Sequence, residues 1–104
     1  SIKTKAHDTA PAKFEIGSKV SNSTISAGCR IRGSVTGSIL GRNVIIERGA
    51  VVRDSIVMEG CIVKEGSVVE HAIVDRSNII PAGTELRGTR EEILLQRKNN
   101  KRVA

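Results

Sequence analysis

TGSILGRNVIIERGAVV (36–52), RDSIVMEGCIVKEGSVV (53–69) and EHAIVDRSNIIPAGTEL (70–86) are three consecutive segments of 17 residues that agree almost position by position. A shorter segment, SNSTISAGCRIRGSV (21–35), precedes them with two residues missing. Self-similarity at a fixed period of this size is the signature of a solenoid, in which each repeat packs only on its neighbours. The sequence therefore predicts stacked, equivalent coils.

Large aliphatic residues recur within these segments after six, five and six residues, and a smaller residue usually stands two positions before each one. Side chains two apart lie on the same face of an extended strand, so each pair points inward together. Three such strands fit one turn of a narrow triangular coil, with Gly49, Gly66 and Gly83 at equivalent corners. The large inward residues are Leu40, Ile46, Val52, Val57, Val63, Val69, Val74, Ile80 and Leu86.

The outward strand positions are also aliphatic, although a solvated face should be polar there. Strand propensity alone would account for some β-branched residues on an exposed surface. The alternative that we favour is that these residues form an interface with another domain or subunit. The predicted interface residues are Ile39, Ile45, Val51, Ile56, Ile62, Val68, Ile73 and Ile79.

The corner positions carry alternating charges, as at Arg42, Glu59 and Arg76, which are 17 residues apart. We expect opposite charges to stack there as a surface ladder that favours the correct register. The net charge of +6 comes from the two ends, because residues 36–86 hold five basic and seven acidic groups. With one aromatic residue in the chain, no base-stacking platform exists, and we expect no nucleic-acid partner.

The sequence also argues against a metal site, a disulfide and a membrane segment. Cys29 and Cys61 would lie in one inward stack two coils apart, on the order of 10 Å, which is too far for a disulfide. Neither a CxxC motif nor a Cys/His cluster is present. We find no signal peptide and no apolar run long enough to cross a bilayer, so we expect a cytoplasmic protein.

The repeats resemble the hexapeptide-repeat superfamily, which implies an all-β, left-handed parallel β-helix of about four coils with a short C-terminal cap. The span GSILGRNVIIERGAVVRDSIVMEGCIVKEGSVVEHAIVDRSNIIPAGTELRG (37–88) is similar to the C-terminal β-helix of the glucose-1-phosphate adenylyltransferase family of glycogen biosynthesis. The opening IKTKAHDTAPAKF (2–14) resembles the linker that enters this domain, and the tail resembles that of the regulatory-type bacterial subunit.

The resemblance implies a region of a nucleotidyltransferase or its regulatory subunit, with catalysis and its Mg²⁺ in a preceding domain. No glycine-rich phosphate loop is present here, so we expect no catalytic residue, cofactor or metal in this segment. The implied partners are the chain's own catalytic domain and other subunits, in a homo- or hetero-oligomer such as a tetramer. A phosphorylated effector is implied near Arg42, Asn43 and Arg76, although family members place an arginine where this chain has Asn43.

The predicted boundaries are a linker at 1–19, the β-helix at 20–88 and a cap or tail at 89–104. In the tail, Thr89 and Glu92 have capping-box spacing before Ile93, which is compatible with a short helix that covers the open last coil. An extended strand is equally compatible with the Ile-Leu-Leu run. The basic residues from Arg97 to Arg102 should be solvated.

Two other functions use a similar fold. A mannose-1-phosphate guanylyltransferase-like enzyme carries a comparable C-terminal β-helix. A hexapeptide acyltransferase would use His71 as a base, at a corner position matched by Gly37 and Asp54. No orienting carboxylate can be assigned to His71 from the sequence. Carbonic-anhydrase-type relatives need three histidines, and this chain has two.

Overall fold

A computed structural model describes residues 11–98, and within that range every regular element is a short strand. In chain order these strands are β1 Lys13–Phe14, β2 Lys19–Ser21, β3 Thr24–Ile25, β4 Arg30–Ile31, β5 Ser34–Thr36, β6 Ile39–Leu40, β7 Ile45–Ile46, β8 Val51–Arg53, β9 Ile56–Val57, β10 Ile62–Val63, β11 Val68–Glu70, β12 Ala72–Val74, β13 Ile79–Ile80, β14 Glu85–Arg87 and β15 Leu94–Gln96.

Every third strand belongs to the same parallel sheet, so the chain winds around a three-sided prism. Sheet A consists of β1, β4, β7, β10 and β13, sheet B of β2, β5, β8, β11 and β14, and sheet C of β3, β6, β9, β12 and β15. We call one strand level of this stack a rung, and we name the corners AB, BC and CA after the sheets that they join. The fold is the predicted all-β, left-handed parallel β-helix of about four coils.

The strand register confirms the 17-residue period, because Ile45 pairs with Ile62 and Ile62 pairs with Ile79. The coil that begins at β4 is two residues shorter: Arg30 pairs with Ile45, whereas Ser34 pairs with Val51. The two missing residues are therefore absent from the AB corner between β4 and β5. Gly33 fills that short corner, where a β-carbon would collide with the carbonyl oxygen of Ala50.

The inward residues form one aliphatic column, as the repeat predicted. Their side chains are almost fully buried, and Cys29, Val44, Cys61 and Asn78 form one stack along it. Burial of Cys29 and Cys61 two rungs apart, both as free thiols, agrees with the predicted absence of a disulfide between them. The buried apolar core consists of Cys29, Ile31, Val35, Leu40, Val44, Ile46, Ala50, Val52, Val57, Cys61, Val63, Val69, Ala72, Val74 and Ile80.

All three corners use left-handed backbone conformations. Gly49, Gly66 and Gly83 at corner AB have φ values of 76°, 73° and 74°, as their predicted corner role requires. Corner BC instead places Asp54 and His71 at φ 47°, a conformation that strains most L-residues. A short, tight corner is thus imposed on these two residues by the strands on either side.

The predicted ladder of ion pairs is not formed at corner CA. Arg42, Glu59 and Arg76 stack as expected, since the Gly60 amide donates to the Arg42 carbonyl and the Ser77 amide to the Glu59 carbonyl. Among residues 11–98, however, none of these three side chains lies within 4.0 Å of an opposite charge. Exposed ion pairs gain little over hydration, so stacking alone does not bring the charged groups into contact.

The C-terminal segment resolves the choice between helix and strand in favour of a strand. Thr89 and Glu92 close a tight turn, in which the Glu92 amide donates to Thr89 Oγ1 over 3.0 Å. The chain then adds β15 beside β12, with Leu94 packed against the core. The helix alternative is wrong because the open edge of β12 offers backbone partners to an extended segment.

The strands run past both ends of the predicted range 20–88, because the ladder begins at Lys13 and ends at Gln96. Residues 1–10 of the predicted linker and residues 99–104 of the predicted tail lie outside the described residues. Within the described range, no helix is long and apolar enough to span a membrane.

Candidate assembly and effector surfaces

The predicted outward columns are formed, and sheet C carries the least polar one. Its outward column contains Thr24, Ile39, Ile56, Ile73 and Leu95 in direct register. Ile39 is 49% exposed, Ile56 is 38% exposed and Leu95 is 54% exposed. No charged residue occupies this column.

Sheets A and B differ from sheet C in charge. On sheet A, Ile45 and Ile62 are half-buried and Ile79 is 53% exposed, but Lys13 and Arg30 occupy the first two rungs. On sheet B, the half-buried Val51 and Val68 stand beside a second outward column with charged residues. That second column contains Ser21, Thr36, Arg53, Glu70 and Arg87.

The structure does not gather the predicted effector residues into one cluster. Arg42 and Arg76 are exposed at corner CA two rungs apart, with Glu59 between them. Two rungs correspond to about 10 Å. Asn43 has φ 58°, and its carboxamide fills the space that a side chain at Gly28 would occupy. Asn43 thus closes the corner against the rung below.

A shallow cleft of about 240 Å³ lies beside that contact, and sequence reasoning missed it. Its lining consists of Pro11, Lys13, Gly28, Cys29 and Arg30. Lys13 and Arg30 are direct register partners on β1 and β4, so the cleft brings two cations together. The sequence feature that could have revealed the cleft is the 17-residue spacing of Lys13 and Arg30. This spacing predicts contact only once β1 is recognised as a strand.

Glu15 partly neutralises the positive charge next to this cleft. Its carboxylate lies 3.7 Å from Arg30 and 3.2 Å from Arg32. These contacts link the coil that begins at β1 to the coil that begins at β4. Part of the local charge therefore stabilises the stacking of the coils.

His71 has a carboxylate neighbour that the sequence alone did not assign. Its Nε2 lies 3.7 Å from Asp54 Oδ2, because the two residues occupy corner BC on adjacent rungs. The predicted alignment of His71 with Asp54 and Gly37 is confirmed, since the His71 and Asp54 amides donate to the carbonyls of the rung below.

A ladder of buried serine hydroxyls supports corner BC. Ser38 Oγ accepts the Ser55 amide and donates to the Thr36 carbonyl, and Ser55 Oγ accepts the Ala72 amide in the same way. Because the hydroxyls replace direct backbone pairing at this sharp corner, they hold Asp54 and His71 at their positions.

The chemistry of the remaining reactive groups is limited. The Cys29 thiol donates to the Gly41 carbonyl and the Cys61 thiol to the Asp75 carbonyl. Burial raises the pKa of both thiols, which keeps them protonated and unreactive. Among residues 11–98, no group of three or more His, Cys, Asp or Glu side chains could hold a metal ion.

Residues 10–93 match the family model described as GlmU-like, C-terminal hexapeptide. The chain belongs to this hexapeptide family. The match covers the stacked coils and the turn that leads to β15, so family membership rests on the whole β-helix.

Three curated relatives are named glycogen biosynthesis protein GlgD or glucose-1-phosphate adenylyltransferase. The chain is 45% identical over 97 residues to the glycogen biosynthesis protein GlgD of Bacillus subtilis, which covers 93% of this chain and 28% of that protein. It is 48% identical over 54 residues to a glucose-1-phosphate adenylyltransferase of Streptomyces avermitilis, covering 52% of this chain and 13% of that protein. A glucose-1-phosphate adenylyltransferase of Thermosipho africanus is 40% identical over 52 residues, covering 50% of this chain and 13% of that protein.

The hexapeptide chain therefore spans between 13% and 28% of the length of these relatives. The resemblance to the glucose-1-phosphate adenylyltransferase family predicted from the sequence is confirmed. Neither the guanylyltransferase nor the acyltransferase alternative is favoured by these relatives.

Proposed function

We propose that this chain is the assembly and regulatory β-helix of a glycogen-biosynthesis nucleotidyltransferase or of its regulatory subunit. Such a parent protein would convert ATP and glucose 1-phosphate to ADP-glucose and diphosphate, or would regulate a subunit that does. The match to GlgD over 93% of the chain is the single observation that supports this proposal most strongly.

The described residues are consistent with a non-catalytic role for this region. Its buried hydroxyls and thiols are committed to backbone carbonyls, and its glycines serve corners rather than a phosphate loop. Any Mg²⁺ used by the parent protein would belong to another domain.

Assembly is supported by the outward aliphatic columns on all three sheets. Ile39, Ile56 and Ile79 remain between 38% and 53% exposed on a chain with a compact aliphatic core. We propose that the parent's other domain and other subunits cover these outward columns.

We also propose a cytoplasmic parent, which would keep Cys29 and Cys61 reduced.

Dye binding and sedimentation of the chain test the assembly role. We expect the wild-type chain to self-associate or to bind an apolar-surface dye, and Ile62→Lys to reduce this signal relative to the corner substitution Glu65→Lys. A wild-type chain that stays monomeric at high concentration without binding the dye would contradict the proposal.

Regulation is tested in the parent protein by titrating phosphorylated sugars and nucleotides. We expect Arg42→Ala to weaken activation, with Arg48→Ala at corner AB as the matched control, because a phosphate needs charge-assisted donors. Lys13→Ala tests the neighbouring cleft in the same titration. Unchanged activation in Arg42→Ala and Lys13→Ala would remove corner CA and the cleft from the effector site.

A further inference from the structure

The outer surface of sheet C has complementary features on two adjacent rungs. Ile39 and Ile56 occupy one column in direct register. In the next outward column, Gly41 lies on the rung of Ile39, and Met58, which is 40% exposed, lies on the rung of Ile56. At corner CA, Arg42 and Glu59 follow on the same two rungs.

We propose that sheet C binds a second copy of this chain about a two-fold axis that runs along the strands, midway between the rungs of Ile39 and Ile56. This inference rests on the proposed assembly role and names the partner of one of its surfaces. Such an axis reverses the order of the rungs in the second copy, and each outward column of one copy faces the same column of the other.

Shape and apolar contact fit this arrangement. Ile39 faces Ile56 of the second copy, so the aliphatic column covers itself. Met58 faces the backbone of Gly41 in the second copy, which carries no side chain; a β-carbon at Gly41 would point at the Glu59 backbone of the next rung rather than at the partner. Both contacts occur twice because the interface is isologous.

The charges at corner CA also fit this two-fold arrangement. Arg42 faces Glu59 of the second copy and Glu59 faces its Arg42, and neither side chain has an opposite charge within 4.0 Å in the described chain. Facing sheets pack about 10 Å apart, a distance that two long side chains at the rim can span together. The unpaired charges of corner CA thus acquire partners without moving the backbone.

Neighbouring arrangements lose this fit. An axis on the rung of Ile56 would place Glu59 against Glu59. An axis between the rungs of Ile56 and Ile73 would still oppose Glu59 to Arg76, but it would place Met58 against the carboxylate of Asp75. An axis parallel to the stack would bring Glu59 of one copy to Asp54 of the other.

The contact area is small for a protein dimer. Four overlapping rungs at about 4.8 Å and a width of about 16 Å bury roughly 300 Å² per copy. Stable dimers bury about 800 Å² per partner. We therefore expect a weak self-association that would act alongside other contacts in a longer protein.

Sedimentation equilibrium of the chain at low salt, up to millimolar concentration, tests the pairing of Arg42 with Glu59. Arg42→Glu and Glu59→Arg should each weaken the dimer about tenfold, and the double reversal should restore it. Arg76→Glu is the matched control and should leave the dimer unchanged, because Arg76 faces the uncharged Ala27 in this arrangement. Melting temperatures verify that each variant is folded.

Three results would overturn the inference: a monomeric wild-type chain at millimolar concentration, a double reversal as weak as its single variants, or an Arg76→Glu variant as weak as Glu59→Arg. If Ile62→Lys on sheet A abolishes self-association and Ile56→Lys on sheet C does not, the assembly role stands and this pairing is refuted.

Discussion

The serine ladder of corner BC should make Ser55→Ala one of the costlier small substitutions in this chain. Ser55 is 4% exposed, and its Oγ accepts the Ala72 amide over 3.1 Å. Ser55 Oγ also donates to the Arg53 carbonyl. That carbonyl still accepts the His71 amide over 3.1 Å after the substitution. The cost is therefore one buried amide without an acceptor, about 1–3 kcal/mol.

Ser38→Ala should cost a similar amount, because Ser38 is 2% exposed and its Oγ accepts the Ser55 amide. Ser23→Ala should cost less, since Ser23 is only half-buried and water can replace its hydroxyl. Ser34→Ala is the control, because Ser34 points outward and its hydroxyl makes no hydrogen bond within the described part of the chain.

Urea unfolding followed by circular dichroism measures these differences, and thermal unfolding provides a second readout. For a chain of this size, 1 kcal/mol corresponds to about 4–8 °C in Tm. The expected order of destabilisation is Ser55→Ala and Ser38→Ala, then Ser23→Ala, then Ser34→Ala. If Ser55→Ala unfolds within about 0.5 kcal/mol of Ser34→Ala, which is the usual scatter of surface substitutions, the hydroxyls do not support the corner.

Three further predictions concern the short corner, the buried thiols and the last strand. Gly33→Ala should destabilise the chain by more than Gly83→Ala, because Gly33 lacks space for a β-carbon whereas Gly83 has open space and only a left-handed φ; urea unfolding compares them. Burial raises the pKa of the Cys29 and Cys61 thiols, so the unfolded chain loses their protons first and stability should fall as the pH rises above 9.0, the ordinary pKa of a thiol; Cys29→Ala should flatten that slope in pH-dependent unfolding, and an unchanged slope would contradict the assignment. Asn78→Val removes amide donors to the carbonyls of Asp75 and Arg97; amide exchange in β15 should accelerate about tenfold while exchange in β10 stays unchanged, and equal acceleration in both strands would indicate a general loss of stability instead.

The coils were predictable because one physical requirement repeats every 17 residues. Inward aliphatic residues such as Leu40 and Val57 specify the strands, and the outward columns follow from the same two-residue alternation. The predicted registers of Ile39 with Ile56 and of Ile45 with Ile62 are confirmed for this reason.

The ends of the β-helix were not predictable in the same way. β1 carries Lys13 outward and an exposed Phe14, so its sequence lacks the buried pattern of the middle strands. β15 has a sequence that suits a helix equally well, and only the exposed edge of β12 decides between them. At both ends, pairing with a neighbouring strand outweighs the local sequence preference.

The candidate sites depended on contacts that a column pattern does not contain. The pattern places His71 above Asp54, but side-chain directions at the corner determine that they come within 3.7 Å. It likewise places Asn43 at a corner, but gives no sign that its carboxamide would fill the space above Gly28. The interface and effector roles of the predicted residues stay predictions.

The short corner at Gly33 has a consequence for how such molecules change length. Losing two residues there leaves every strand above and below in register, since Ser34 still pairs with Val51. Small length changes are therefore absorbed at a corner, whereas adding a whole 17-residue coil would extend the prism by about 4.8 Å. A whole-coil insertion therefore changes the distance between the two ends of the prism by one rung, whereas a corner deletion leaves that distance unchanged.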